Sequence, residues 1–335
     1  MNLKKFIADQ PLIFNLLKLG GTKSPQPLFL LVHLTLACNL CCPDCYQSLD
    51  NFYKPFKKQF IKLEDFKNLL VQARQFWFQP RIHFFGGEPL LHPNFAILLK
   101  LTDQTGFQSS ITTNGILLKK YLSQIIESRL DQINISWPFP DQPKKKETND
   151  WKKIQLAISG LKKTASRPKI ININCVINKN NYNRLTAIAK ELTRRHTPID
   201  TLVFQHPYFD WSKPPQIDLK ILDSQMKQIK KIESDFKIIF IPNLKTDDLA
   251  FFYNPTEEKR FKKNCLMPWL GLNILPDLAA TPGGGVLGCN QLIGNLKQAS
   301  IKTIWNNQLM KNFRHAIISG RMPPACFRCC HRQYY

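Results

Sequence analysis

Nowhere does the 335-residue chain stay apolar for the roughly 20 residues that a helix needs to cross a bilayer. The opening MNLKKFIADQPLIFNLLKLGG carries no small-residue cleavage site behind a clean apolar core, so it does not read as a secretory signal. A spanning or secreted protein is therefore not expected, and a cytoplasmic location is. Acidic residues are scarce: 24 Asp and Glu face 47 Lys and Arg, a formal charge of +23. A surplus of that size attracts phosphates, anionic lipid surfaces or acidic peptides, although a lysine-rich solvated surface has the same composition. No basic stretch is interleaved with a recognised nucleic-acid-binding motif, which argues against a specific nucleic-acid partner. The hydrophobic content of 43% is that of a globular chain, long enough for one large domain or for a barrel-sized domain with a small appendage.

Cysteine, by contrast, is plentiful and clustered. Of ten cysteines, Cys38, Cys41, Cys42 and Cys45 fall within eight residues, and Cys265, Cys289, Cys326, Cys329 and Cys330 follow residue 260. In a cytosolic chain such clusters read as metal or redox sites before they read as disulfides. Cys175 stands apart inside the apolar run KIININCVIN and reads as a buried strand residue. The first cluster, CNLCCPDC, allows two readings. It is either a pair of zinc hooks, Cys38 with Cys41 and Cys42 with Cys45, or a three-thiolate clasp of Cys38, Cys42 and Cys45 with Cys41 left over. Spacing alone leaves both open.

Short apolar runs alternate with helical periodicity from Pro27 to about residue 242. Candidate strands are 28–36, 81–85, 107–113, 131–136, 169–178 and 200–205. Between them lie stretches such as KLEDFKNLLVQARQFWF and NYNRLTAIAKELTRRH, with apolar residues three and four apart, as on a helix that packs against a sheet. Six β/α units in series imply a parallel sheet with an outer helical layer, curled into a full or partial barrel. Chemistry in such folds lies at the carboxyl ends of the strands. The cysteine loop follows the first of these ends, GGEP (Gly86–Pro89) the second and TNG (Thr113–Gly115) the third. Loop glycines let a backbone approach a ligand, and a carboxylate such as Glu88 can fix an amine.

CNLCCPDCY, FGGEPLLHPNF and TTNG, placed in this way, resemble the radical S-adenosylmethionine (radical SAM) superfamily over most of residues 28–206. The resemblance implies a partial (β/α)6 TIM-like barrel in which Cys38, Cys42 and Cys45 bind three irons of a 4Fe-4S cluster and leave the fourth iron open. It further implies that SAM binds the open iron, that the reduced cluster cleaves it to a 5′-deoxyadenosyl radical, and that this radical takes a hydrogen atom from substrate. By the same resemblance Gly86, Gly87 and Glu88 border the methionine amine, Tyr46 lies near the adenine, and Asn114 belongs to the cofactor site. Relatives often carry an SLDG-like run after the fourth strand. This chain has SWPFPD, which retains Ser136 as a cofactor contact but brings Asp141 late, and Trp137 and Phe139 suit either a patch that packs the barrel rim or a substrate lining.

The carboxyl-terminal stretch carries C..PW at Cys265, ILPD, Cys289, GNL, SI..IW and a final C..C at Cys326 and Cys329. This order resembles the SPASM or shorter twitch extension of radical SAM enzymes. It implies one auxiliary 4Fe-4S cluster on Cys265, Cys289, Cys326 and Cys329, since the chain ends six residues after Cys329. Cys330 is an alternative to Cys329, as adjacent cysteines differ little in reach, and a structural zinc in the same thiolates is the alternative metal.

The expected division is an amino-terminal amphipathic extension (1–27), a radical SAM core barrel (28–245) and a small SPASM-like cluster domain (246–335). Residues 1–20, apolar and flanked by lysines, suit either a helix that covers the barrel or peripheral contact with an anionic membrane. That segment is shorter than a winged-helix peptide-recognition domain, so no leader-peptide module is expected. The Lys144–Lys146 loop follows the fourth strand on the catalytic side. By resemblance the expected substrate is a ribosomally made peptide or protein, with cross-linking, epimerisation or residue oxidation as the reaction and flavodoxin or ferredoxin as electron donor. A small-molecule or lipid-linked substrate is the runner-up, and a non-catalytic zinc-binding protein the alternative of another class. No general acid or base stands out among His33, His83, His92, His206 and Tyr208. His206 and Tyr208, just past the sixth strand, are the candidates for lining the substrate cavity.

Overall fold

The computed structural model describes residues 21–42, 45–49, 51–56, 58–136, 149–164, 169–207, 215–254, 265–284, 289–321, 326 and 329. The expectations placed on residues 1–20, Trp137, Phe139, Asp141, Lys144–Lys146, Tyr208 and Cys330 lie outside them. Six strands fall where the apolar runs predict: β1 (Phe29–Thr35), β2 (Arg81–Gly86), β3 (Ser109–Thr113), β4 (Leu130–Ser136), β5 (Ile170–Val176) and β6 (Thr201–Gln205). They pair in parallel and in chain order. A short helix α1 (Tyr46–Leu49) follows the cysteine loop. The crossover helices are then α2 (Leu63–Arg74), α3 (Phe95–Gln104), α4 (Leu122–Glu127), α5 (Asn149–Thr164) and α6 (Leu185–Arg194).

Periodicity explains which faces meet. Phe66, Leu69, Leu70 and Ala73 of α2 recur at three- and four-residue steps and bury against Leu30, Val32 and Leu34 of β1 and Ile82 and Phe84 of β2. Because strand side chains alternate, the neighbours Leu31, His33 and Thr35 face the concave side. Glu64 and Asp65 in the first turn of α2 and Arg74 in its last turn oppose the ends of the helix dipole.

The series continues past the six predicted units. Helix α7 (Leu219–Ile229), whose first turn is capped by the Asp218 carboxylate accepting from Lys220 N and Ile221 N, leads to β7 (Lys237–Ile241), which pairs in parallel with β6. After α8 (Thr246–Tyr253) and α9 (Met267–Leu270), strand β8 (Gly271–Ile274) returns to the far edge and pairs in parallel with β1. Strands β9 (Ala279–Pro282) and β10 (Gly294–Asn295) then add antiparallel. One sheet, ordered β10-β9-β8-β1-β2-β3-β4-β5-β6-β7, thus crosses the expected boundary at residue 245, and helices α10 (Ile301–Trp305) and α11 (Gln308–Ser319) close the chain.

One buried cation joins the carboxyl-terminal helices to the first described residues. Arg314 of α11 is fully buried; its Nε donates to Pro268 O (3.0 Å), and its Nη1 donates to Thr22 O (3.0 Å) and Asn306 Oδ1 (2.8 Å). The guanidinium lies 4.5 Å over the Trp305 ring, and no carboxylate among the described residues pairs with it. Burial pulls its pKa down to about 10. Trp305 Nε1 and Asn306 Nδ2 both donate to Ser24 O, which extends the same junction. Replacing Arg314 with Leu orphans its three acceptors, and the variant is expected to lose roughly 3 kcal/mol of stability in urea unfolding. Arg314→Lys should recover only part of that, because an ammonium cannot reproduce the fork; an unchanged urea midpoint for Arg314→Leu would remove the junction from the account.

Candidate active site at the cysteine loop

The carboxyl end of β2 passes so close to that of β1 that no side chain fits between them. Gly87 N donates to Thr35 O and Glu88 N to Ala37 O, both at 2.8 Å. A Cβ on Gly86 would lie 1.9 Å from Thr35 O, and one on Gly87 would lie 2.2 Å from Ala37 O. Gly86 also has φ of +130°, which L side chains rarely adopt. The cysteine loop therefore leaves β1 already fixed to the second loop. Thr35 strengthens the departure, its Oγ1 donating to Gln59 O (2.7 Å) and accepting from Ala37 N (3.0 Å).

Glu88 fastens the second loop to the third. Its fully buried carboxylate accepts from Leu90 N (3.0 Å), Thr113 Oγ1 (2.8 Å) and Asn114 N (2.7 Å). Asn114 completes the circuit, donating from Nδ2 to Asn39 Oδ1 (2.8 Å) in the cysteine loop while its own Oδ1 accepts from Ile116 N (3.1 Å). Three of the carboxylate's roughly four lone-pair positions are thus met from its own and the third loop, so Glu88 serves first to fasten these loops together. Burial, the largest effect, holds the Glu88 carboxyl above its ordinary range, and the bonds from Asn114, Leu90 and Thr113 offset part of that rise.

Within this frame the thiols of Cys38, Cys41 and Cys42 are exposed and that of Cys45 is half-buried. Cys45 N donates to Cys42 O (3.2 Å), and Leu40 N donates to Cys38 Sγ (3.4 Å). Partial burial raises the Cys38 pKa, the Leu40 N–H opposes the rise, and the nearby charges of Glu88 and Cys45 add to it. No three Cys, His, Asp or Glu side chains are preassembled as a cage among the described residues. Soft sulfur donors on one loop, open to solvent at a barrel mouth, nevertheless suit an iron-sulfur cluster that keeps a free position.

The second set of cysteines converges. Cys289 and Cys326 share one buried cluster with Trp269, Phe313 and Ile317, and Cys265 packs against it. Cys329 is buried as well, its N–H donating to Cys326 O (3.4 Å). Three segments far apart in sequence thus bring Cys265, Cys289 and Cys326 to one dry place with Cys329 three residues beyond, a donor set that fits a fully protein-ligated cluster.

A family model of the radical SAM superfamily matches residues 32–192, and one of the SPASM iron-sulfur cluster-binding domain matches residues 265–330. The chain belongs to the radical SAM superfamily. It is a radical SAM enzyme with a 4Fe-4S cluster and SAM as cofactors, and its carboxyl-terminal domain is of the cluster-binding SPASM kind. This sets aside the non-catalytic zinc protein. Among solved structures the enzyme is similar to Streptococcus suis SuiB bound to the precursor peptide SuiA, with a TM-score of 0.64 and 16% identity over 87% of this chain and 67% of that one. SuiB bound to S-adenosylmethionine gives a TM-score of 0.63 and 17% identity over 89% and 70%. For anSMEcpe with bound AdoMet the TM-score is 0.62 at 17% identity, over 86% and 79%. At such identities the likeness concerns the fold.

Around the mouth of this radical SAM barrel, Tyr46 donates from Oη to Gly86 O (2.9 Å), stacks on Phe85 at 5.9 Å and meets Tyr53 edge-on at 5.0 Å. Burial holds its hydroxyl well above the ordinary tyrosine range. Ser136 is exposed at the tip of β4, directly paired with Asn174 of β5. His206 departs from expectation. It is buried among Phe240, Phe252 and Tyr253, rings of the helix-facing core, and its Nδ1 lies 2.7 Å from Tyr253 Oη, so it does not line the cavity. Desolvation drops its pKa to about 3. The concave wall is made instead by His83, named above without a role, and by polar residues that sequence alone did not single out. His83 sits between Ser110 Oγ (2.7 Å) and Thr112 Oγ1 (3.0 Å), and Asn134 Oδ1 accepts from Gln132 Nε2 and Asn172 Nδ2 (2.9 Å each). Strand parity was the available signal, since polar residues alternate with Ile and Leu in β3, β4 and β5.

Gly87→Ala is expected to force the cysteine loop off β2 and to abolish iron uptake on anaerobic reconstitution, read as iron content and cluster absorbance; normal loading would show that the close approach can relax. For Glu88 the pH sign follows from its raised pKa. Its contribution to stability is complete below the ordinary value of 4.5 and is lost as pH rises through the higher folded value. Glu88→Gln should remove that decline, so that wild type loses more stability than the variant between mildly acidic and neutral pH; parallel pH profiles would contradict the assignment.

Proposed function

We propose that this enzyme abstracts hydrogen from a residue of a ribosomally made peptide or protein and so cross-links, epimerises or oxidises it. The observation that carries the reading is that β8 of the cluster-binding domain pairs directly with β1, the strand that leads into the cysteine loop. The second set of thiols is thereby tied through the sheet to the strand that carries the first, in a fold shared with SuiB, whose structure includes a precursor peptide, and with anSMEcpe.

In this reading Cys38, Cys42 and Cys45 hold the cluster with the open iron. The main chain of Gly86–Glu88, with Tyr46, Asn114 and Ser136, holds SAM. Cys265, Cys289, Cys326 and Cys329 close one further cluster, leaving no position there for substrate to coordinate. When bound, the cofactors supply an electron and a carbon-centred radical that removes hydrogen from an unactivated position. The chain's part is positional. The Glu88 staple fixes the direction of the Gly86 and Gly87 peptide groups, and the Asn114–Asn39 bond holds the cysteine loop against the third strand. Tyr46, Tyr53, Phe85 and the buried His33 pack a dry aromatic side to the mouth. Reduction would come from a flavodoxin or ferredoxin.

The test is anaerobic. Reduced, reconstituted enzyme with SAM should release 5′-deoxyadenosine, and a Cys38/Cys42/Cys45→Ala variant should release none. Cys289→Ala should keep that release while iron falls from about eight to about four atoms per chain. Deuterium should enter 5′-deoxyadenosine from a uniformly deuterated peptide pool; transfer only from deuterated small-molecule or lipid extracts would overturn the peptide assignment and leave the enzyme class standing.

A further inference from the structure

The most exposed large apolar side chain among the described residues, Trp77, and its neighbour Phe78 lie at the amino ends of the strands, opposite the cysteine loop. Trp77 is 90% exposed and Phe78 65% exposed in the connection between α2 and β2. Their rings stack on each other, 5.6 Å apart at 18°. Their backbone is not loose. Gln26 Nε2 donates to Phe78 O (2.6 Å) and Phe78 N donates to Gln26 Oε1 (3.3 Å), so one side chain satisfies both main-chain groups as a neighbouring strand would. Both rings are thus presented on a fixed edge without contributing to the core, and large exposed apolar groups held in this way mark interaction surfaces.

Magnitude and charge decide the partner. Two aromatic side chains bury about 500 Å² at most, well short of the roughly 800 Å² that one side of a stable protein interface needs. An anionic bilayer asks less of each site, because shallow insertion of an aromatic pair adds to attraction between cations and lipid headgroups. The loops at this end supply those cations. Lys23 and Arg74, on the segments joined by the Gln26–Phe78 bonds, are exposed and in no ion pair among the described residues; further along this end Arg129 lies beside Asp103, whose Oδ1 accepts from Arg129 N (2.9 Å), and the exposed Glu127, and Asp131 is paired with Arg81. Firm attachment takes two signals, apolar and basic, and this face carries both on a chain of net charge +23.

We infer that Trp77 and Phe78, with Lys23 and Arg74 of the adjoining segments, form a docking face for an anionic phospholipid membrane. The inference is independent of the substrate reading. Its test is co-sedimentation of the full-length holoenzyme with phosphatidylcholine vesicles that contain about one-third phosphatidylserine. Wild type should pellet with these vesicles, bind pure phosphatidylcholine poorly and dissociate as salt is raised. Trp77→Ala/Phe78→Ala should weaken binding about tenfold while SAM cleavage and the unfolding midpoint stay unchanged. Equal binding by wild type and variant would overturn the inference and leave attachment to other segments. So would absence of wild-type binding, or a variant whose main change is loss of self-association in light scattering or faster proteolysis of residues 1–20, which would give the face to a second copy or to the chain's own amino-terminal segment.

Discussion

The carbonyl oxygens of Thr35 and Ala37 leave no space for a side chain on the segment that crosses them, and most of the site follows from that. Only a glycine pair can bring β2 within hydrogen-bond distance of the start of the cysteine loop. With Gly86 and Gly87 in place, Glu88 enters the interior, where a charged carboxylate is costly unless several donors meet it. Leu90, Thr113 and Asn114 are those donors. The outcome is a loop of exposed thiols, unsuited to holding its own shape, carried on a frame whose main-chain directions are fixed from three strands. Preorganisation of this kind lets a cofactor bind without the chain having to order itself first.

A similar economy joins the two halves of the enzyme. Strand β8 continues the sheet beside β1, so the carboxyl-terminal cysteines stand in fixed relation to the first loop through backbone hydrogen bonds. Arg314 seals the other side of the junction. It satisfies three carbonyl-type acceptors from residues that neither helix capping nor sheet pairing could reach. The absence of a carboxylate partner among the described residues fits that role. A buried cation answered by several neutral oxygens specifies one packing arrangement, where a single acid would fix only one contact.

What could be read from the residues divides along physical lines. Strands β1 to β6 were legible because their apolar runs are bounded by turn residues and separated by helix-period stretches. Strand β7 was overlooked, although KIIFI is as long as β3 and β6; β8 to β10 were not legible, since GLNI, AATP and GN are too short for any period to show. They exist because the edge of β1 offers unpaired backbone groups, a tertiary fact. The motifs named the loops of the site correctly as neighbours but could not say which way a side chain turns. Glu88 points inward to the third loop, and His206 shares the parity of Phe204, packing with the helices. Parity from a known strand would have placed His206, whereas the Glu88 circuit depends on φ and ψ values in two loops that composition does not encode.

Orientation links the charged surface to the chemistry. The thiols open at the carboxyl ends of the strands, and Trp77 and Phe78 project at the amino ends. Strands of five to seven residues separate the two ends by roughly 20 Å. A membrane held at the aromatic edge therefore leaves the mouth of the barrel pointing away from the lipid. A substrate embedded in the same bilayer would have to be lifted that full distance to reach the cysteine loop, paying about 0.8 kcal/mol for each methylene withdrawn. A peptide arriving from the aqueous side meets no such barrier. The placement of the docking face thus favours the peptide reading over the lipid-linked one, and it gives the large positive charge a use that leaves the neutral, amide-lined interior of the barrel undisturbed.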